Sequence, residues 1–204
     1  MGSKMQTGLL LVVGSILAAI GFALYPAHSG EGAAASAQAM LNDPTTGKIA
    51  LVIGYGGVIA VLIGLFGISR SMALAGGAGT SYTSIAMVLF VALVAGFVAG
   101  FGLEYGSTEA GSVVEGATLQ GVALAIGGAV TLVMGVALTL LGIGIAVDKN
   151  FHVIVSALLI IAGIALVVSG FVAGDAGNVI EMVAWIGFML GGLILGGSSI
   201  KSSS

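Results

Sequence analysis

The chain has 204 residues, 58% of them hydrophobic and only 6% charged, with a mean hydropathy of +1.23. Soluble domains carry roughly a quarter charged residues, so lipid and not water is the solvent for this fold. The absence of cysteine removes disulfides, thiolate metal sites and thiol nucleophiles together, and a formal charge of -3 with no basic run gives nucleic acid nothing to bind.

Charged residues divide the chain into six uncharged intervals, 5–30, 49–69, 71–103, 116–147, 150–174 and 182–200. A helix rising about 1.5 Å per residue crosses a hydrocarbon core of about 30 Å in roughly 20 residues, so each interval holds one span. Transmembrane helices are expected near 6–25, 49–69, 83–103, 117–147, 151–173 and 179–198. The first follows Lys4 and could be read as a secretory leader cleaved near Ala27. Its apolar run, Leu9 to Leu24, exceeds the usual signal core, and it is expected to stay as the first span. Gly2 does not signal myristoylation, because the sixth position is Gln6 where Ser or Thr is needed.

The loop Pro26–Lys48 carries the small-residue stretch Ala33–Leu41 and then Asn42-Asp43-Pro44 as a turn. It is either a short helix on the membrane surface or a solvated connector. Helix two has Gly56, Ala60 and Gly64 at spacings of four. Ala75-Gly76-Gly77-Ala78-Gly79 follows as a flexible turn, since it lacks the strand and lysine of a phosphate loop. Helix four repeats glycine every seven residues, at Gly121, Gly128, Gly135 and Gly142, with Ala125 and Thr139 on the same stripe. A seven-residue period matches a left-handed crossing, so this face should bury against a neighbour along the whole helix. Helix six pairs Gly187 with Gly191 and Gly192 with Gly196. Between lipid-solvated helices such small residues supply close backbone packing.

Six spans bring both termini to one side. That side holds Lys4, Arg70, Lys149 and Lys201 against the single acid Asp148. By the positive-inside rule it is the cytoplasm. The other side holds Glu31, Asp43, Glu104, Glu109, Glu115, Asp175 and Glu181, balanced by Lys48 alone. A prokaryotic plasma membrane with acidic loops outside is the expected location.

The outer ends of the odd-numbered helices share a phrase: Gly21-Phe22-Ala23-Leu24-Tyr25, Gly100-Phe101-Gly102-Leu103-Glu104-Tyr105 and Gly170-Phe171-Val172-Ala173. The leading glycines lie 79 and then 70 residues apart. The even helices end alike, with Leu65-Phe66-Gly67-Ile68, Leu141-Gly142-Ile143 and Leu195-Gly196-Gly197 before a basic residue. The expectation is one all-α membrane domain over 1–204, of three tandem parallel hairpins at 5–70, 82–148 and 150–200. In its span pattern the chain resembles small six-helix membrane proteins of the acid-resistance HdeD type, which also look like three hairpins in series. That resemblance carries over no residue and no activity.

Few side chains offer chemistry. His28 and His152 are expected on opposite faces, about 30 Å of bilayer apart, which rules out a shared haem or metal. No ionisable group falls at mid-depth; Glu104 and Glu181 come nearest, at the outer end. Glu104, Glu109 and Glu115 could attract a divalent cation, though a solvated acidic loop is the plainer reading. Tyr25, Tyr82, Tyr105 and Trp185 suit interfacial belts, and Thr131 and Thr139 would line a pore if one exists. No catalytic set, cofactor or metal site is expected. The leading expectation is a non-catalytic accessory subunit of a larger membrane assembly, held to other subunits or to itself and solvated by lipid. A passive facilitator for a small neutral solute is the alternative.

Overall fold

Among residues 4–26 and 32–201, which the computed structural model describes, all regular structure is helical, in seven helices. They are α1 (Lys4–Leu24), α2 (Gly32–Asn42), α3 (Pro44–Ala75), α4 (Thr80–Ser107), α5 (Val113–Asp148), α6 (Val153–Ser169) and α7 (Asp175–Lys201). His28 and Glu31 lie outside the described residues. Five helices, α1, α3, α4, α5 and α7, are long and apolar enough to cross a membrane, while α6 has 17 residues.

Local sequence explains three of the helix ends. Asp43 caps α3, its carboxylate accepting from the Thr46 N–H at 3.1 Å, and Pro44 occupies the first turn, where a missing N–H costs nothing. Ser112 caps α5 by accepting from the Glu115 N–H at 3.2 Å, and Glu115 reaches back to the Gly111 N–H at 2.9 Å. At the turn after α3, Gly76 adopts φ +72, the left-handed form that glycine enters without steric penalty. Lys149 holds a similar conformation after α5, φ 55, without that freedom.

The long helices form a closed circuit. Each packs on its successor in the order α1, α3, α4, α5, α6 and α7, and α7 packs back on α1. Leu62, Leu65, Phe90, Met134, Leu138, Leu141 and Phe188 fill the axis and are fully buried. Outward faces are apolar too, with Val91, Leu124, Ile161 and Val183 each more than half exposed, as lipid contact requires.

Three features depart from the sequence expectations. The stretch at Ala33–Leu41 is a helix, α2, but it packs on the N-terminal half of α5 with Ala37 and Met40 fully buried. The expected fifth helix, 151–173, ends four residues early at Ser169. Gly170, Phe171, Val172 and Ala173 therefore form the turn after α6, whereas the matching phrases at Gly21 and Gly100 are helical. Gly174, at φ +74, reverses the chain there. Lastly, α5 is about twice as long as the helix it meets, 36 residues against 17.

Candidate functional site

Glycine brings the backbones together where helices touch. Gly21 of α1 faces Gly54 of α3, and Gly14 faces Gly57. A Cβ on Gly64 would lie 2.7 Å from Leu11 Cγ, and one on Gly196 of α7 would lie 2.8 Å from the Gly8 carbonyl oxygen of α1. In the α5–α6 seam, a Cβ on Gly135 would lie 2.6 Å from the Gly163 carbonyl oxygen, and one on Gly142 would lie 2.7 Å from Ile160 Cγ1. On α7, a Cβ on Gly187 would lie 3.2 Å from Ala162 Cβ, and one on Gly191 would lie 3.0 Å from Leu159 Cδ2. Where the facing atom is backbone, as at Gly21, Gly14, Gly135 and Gly196, a larger residue would force the helices to shift, so close approach there requires glycine.

The rest of the seven-residue stripe on α5 is not enclosed. Gly128 has no neighbour within 4 Å of a built Cβ, and Gly121 meets only Ala33 of α2, at 3.9 Å. Gly56 on α3 is equally open. The reason is the short α6: its end reaches the level of Leu132, whose Cδ2 lies 2.7 Å from a Cβ built on Gly170. Above that level α5 continues from residue 131 back to 113, about 28 Å at 1.5 Å per residue. There Gly121, Val122, Leu124, Ala125, Gly127, Gly128 and Ala129 are all exposed, five small residues with one valine and one leucine.

Two carboxylates, Glu104 and Glu181, lie at the same end of the bundle as this stretch of α5. Glu104 of α4 accepts from the Tyr25 hydroxyl at 2.7 Å and from the Tyr55 hydroxyl at 2.6 Å, joining α4 to the end of α1 and to α3. Beneath it, the Gln120 amide donates to Ser107 Oγ at 2.8 Å, and Ser107 donates to the Glu104 carbonyl oxygen at 2.7 Å. Glu181 of α7 accepts from Trp185 Nε1 at 3.3 Å and from Thr131 Oγ1 of α5 at 3.4 Å. Rings connect the two carboxylates. Tyr55 meets Phe97 at 6.0 Å, Phe97 meets Trp185 edge-on at 6.2 Å, and Trp185 meets Phe22 at 6.0 Å.

Glu109 is paired with Lys48 at 2.8 Å, and that ammonium lies 5.4 Å from the Tyr105 ring centroid. Glu115 is engaged in its helix cap. Glu104, Glu109 and Glu115 thus point to separate partners, and among the described residues no three metal-ligating side chains converge. His152 opens α6, its Nδ1 accepting from the Ile154 N–H at 3.3 Å. Thr139 donates to the Gly135 carbonyl oxygen at 2.8 Å within the α5–α6 seam, so it lines a packed interface.

The clamp on Glu104 is the feature that sequence reasoning missed. A signal was present: Tyr25 and Glu104 hold the same place, four residues after the glycine, in two copies of the shared phrase. Tyr55 had no such signal, because its depth in α3 becomes meaningful only once α3 and α4 are in contact. Compared with protein-family models, with curated proteins and with solved structures, the chain matches none of them.

Proposed function

We propose that this chain is a non-catalytic subunit of a larger membrane assembly, with six spans in three parallel hairpins and both termini in the cytoplasm. The observation that supports it is the uncovered face of α5. A helix normally hides its small residues against another backbone, because without them lipid-solvated helices have little to hold them together. Here Gly121, Ala125 and Gly128 are exposed beyond the end of α6, in the space where a longer α6 would lie. A partner's transmembrane helix fits that space, and its backbone could approach α5 as closely as α6 does lower down. The short α6 then counts as a span made complete with its flanking turn, in a plasma membrane of prokaryotic type with acidic loops outside.

The alternative, a passive path for a small neutral solute, finds less support, because Phe90, Phe188, Met134 and Leu138 fill the axis at mid-depth. Gentle solubilisation from the native membrane, followed by measurement of particle mass and protein composition, tests the subunit reading. Stoichiometric partners that are lost on Gly128→Leu substitution are the expected result. A homogeneous particle of this chain alone would overturn it and move the facilitator to first place.

A further inference from the structure

Where α6 stops, a carboxylate stands beside an open space. Thr131 lies four residues before Gly135, so it shares the face of α5 that α6 covers lower down. It is next to Leu132, the level that the end of α6 reaches, and there its Oγ1 donates to Glu181 of α7 at 3.4 Å. One turn further along the same face, Gly127 and Gly128 are exposed, and a Cβ built on either has nothing within 4 Å. Glu181 therefore borders the gap between α5 and α7 that the short α6 leaves unfilled.

Two properties of this place select a ligand. The first is an uncompensated charge. Glu181 is half-buried, and both of its donors, Thr131 and Trp185 Nε1 at 3.3 Å, are neutral and reach the same oxygen, Oε1. Among the described residues no cation lies within ion-pairing distance of it, and Lys48, the described lysine at this end, is taken by Glu109. The second is aromatic. The Trp185 ring meets Phe22 at 6.0 Å, Phe97 at 6.2 Å and Phe188 at 5.5 Å, and Phe22 is half exposed. Ring faces attract organic cations through their quadrupole, tryptophan most strongly.

We propose that Glu181 binds a monovalent organic cation with an apolar body, its charge beside the carboxylate and the Trp185 ring and its body against Gly127 and Gly128. A hard divalent ion takes about six to eight oxygens, whereas Glu181 and Thr131 offer one carboxylate and one hydroxyl. A zwitterionic lipid headgroup fits poorly, because its phosphate would face an end of the bundle where Asp43, Glu104, Glu109, Glu115 and Asp175 accompany Glu181. The site is built from this chain alone, so the inference goes beyond the subunit reading and does not depend on it.

The test uses the purified full-length chain in neutral detergent. Its probe is tetraphenylphosphonium, and its control is tetraphenylborate, a body of the same shape with the opposite charge. Equilibrium dialysis measures affinity, and the emission of Trp185, the chain's single tryptophan, reports occupancy. The expected result is saturable binding of tetraphenylphosphonium with a change in that emission, and affinity at least about tenfold weaker in E181Q, which removes one member of a charge pair held away from bulk water. G128L, which fills the space and leaves the carboxylate in place, should weaken binding to a similar degree. D43N removes a negative charge at the same end outside the site and should leave affinity unchanged. Equal affinity for tetraphenylborate, or undiminished affinity in either E181Q or G128L, would overturn the proposal.

Discussion

The hydroxyl of Tyr25 lies 2.7 Å from the carboxylate of Glu104 across 79 residues of chain, and 79 is also the offset between the two phrases that contain them. The contact fixes the end of α1 against the last turns of α4, two helices that are not neighbours in the circuit. With Tyr55 as second donor, one carboxylate ties three helices together at the end of the bundle where α1 stops.

Loss of either tyrosine hydroxyl should therefore loosen that end. Tyr25→Phe and Tyr55→Phe are each expected to cost about 1–2 kcal/mol, since each removes one hydrogen bond to a charged acceptor. In an E104Q background the same substitutions should cost less, because the charge assisting the bond has gone. Equilibrium unfolding in mixed micelles, arranged as a double-mutant cycle, measures the coupling. Zero coupling would show that the clamp contributes nothing.

The glycine stripe of α5 should divide in two under mutation. Gly135→Leu must force α5 and α6 apart, so a loss of about 1–3 kcal/mol is expected from overpacking. Gly128→Leu should change the stability of the isolated chain by less than about 0.5 kcal/mol, as an open surface position does. The same unfolding measurement compares them, and equal losses at the two positions would contradict the described α5–α6 geometry.

Lys149 ends α5 in a left-handed conformation, φ 55, which costs an L-residue with a side chain about 1–2 kcal/mol relative to glycine. Lys149→Gly is expected to stabilise the α5–α6 turn by about 0.5–1 kcal/mol, less than the full strain, because glycine also gives the unfolded chain more freedom. A shift of the unfolding midpoint to lower denaturant would contradict this.

The cap on α3 should respond to acid. The hydrogen bonds from Thr46, side chain and backbone, hold the Asp43 carboxyl below its usual range. A folded-state value below the unfolded one means that the contribution is complete above the unfolded value, about 4, and is lost as pH falls through the folded value. Amide exchange at Thr46 should therefore accelerate at acid pH beyond its intrinsic pH dependence. In D43N the cap remains but no longer titrates, so this extra acceleration should vanish.

Much of the helix map was legible because hydropathy and charge report directly on the solvent of each segment. Asn42-Asp43-Pro44 and Ala75-Gly76-Gly77-Ala78-Gly79 read as turns in the sequence, and α3 begins at Pro44 and ends at Ala75 beside them. The end of α6 was not legible. Gly170 to Ala173 are as apolar as the helix before them, and nothing local distinguishes a last turn from a reversal. The uncovered face of α5 shared that difficulty, since Gly121 and Gly128 follow the same spacing as Gly135 and Gly142.

The sequence by itself determined that this chain belongs in lipid, that it is helical, and roughly where its apolar helices lie, because burial of backbone polar groups in hydrocarbon leaves few other solutions. Tertiary structure decided which glycines touch a neighbour, that α2 packs on α5, that α7 closes the circuit on α1, and that Tyr25, Tyr55 and Glu104 meet. Those outcomes depend on helix lengths and on distances between segments far apart in the chain, and a spacing along one helix contains no record of either.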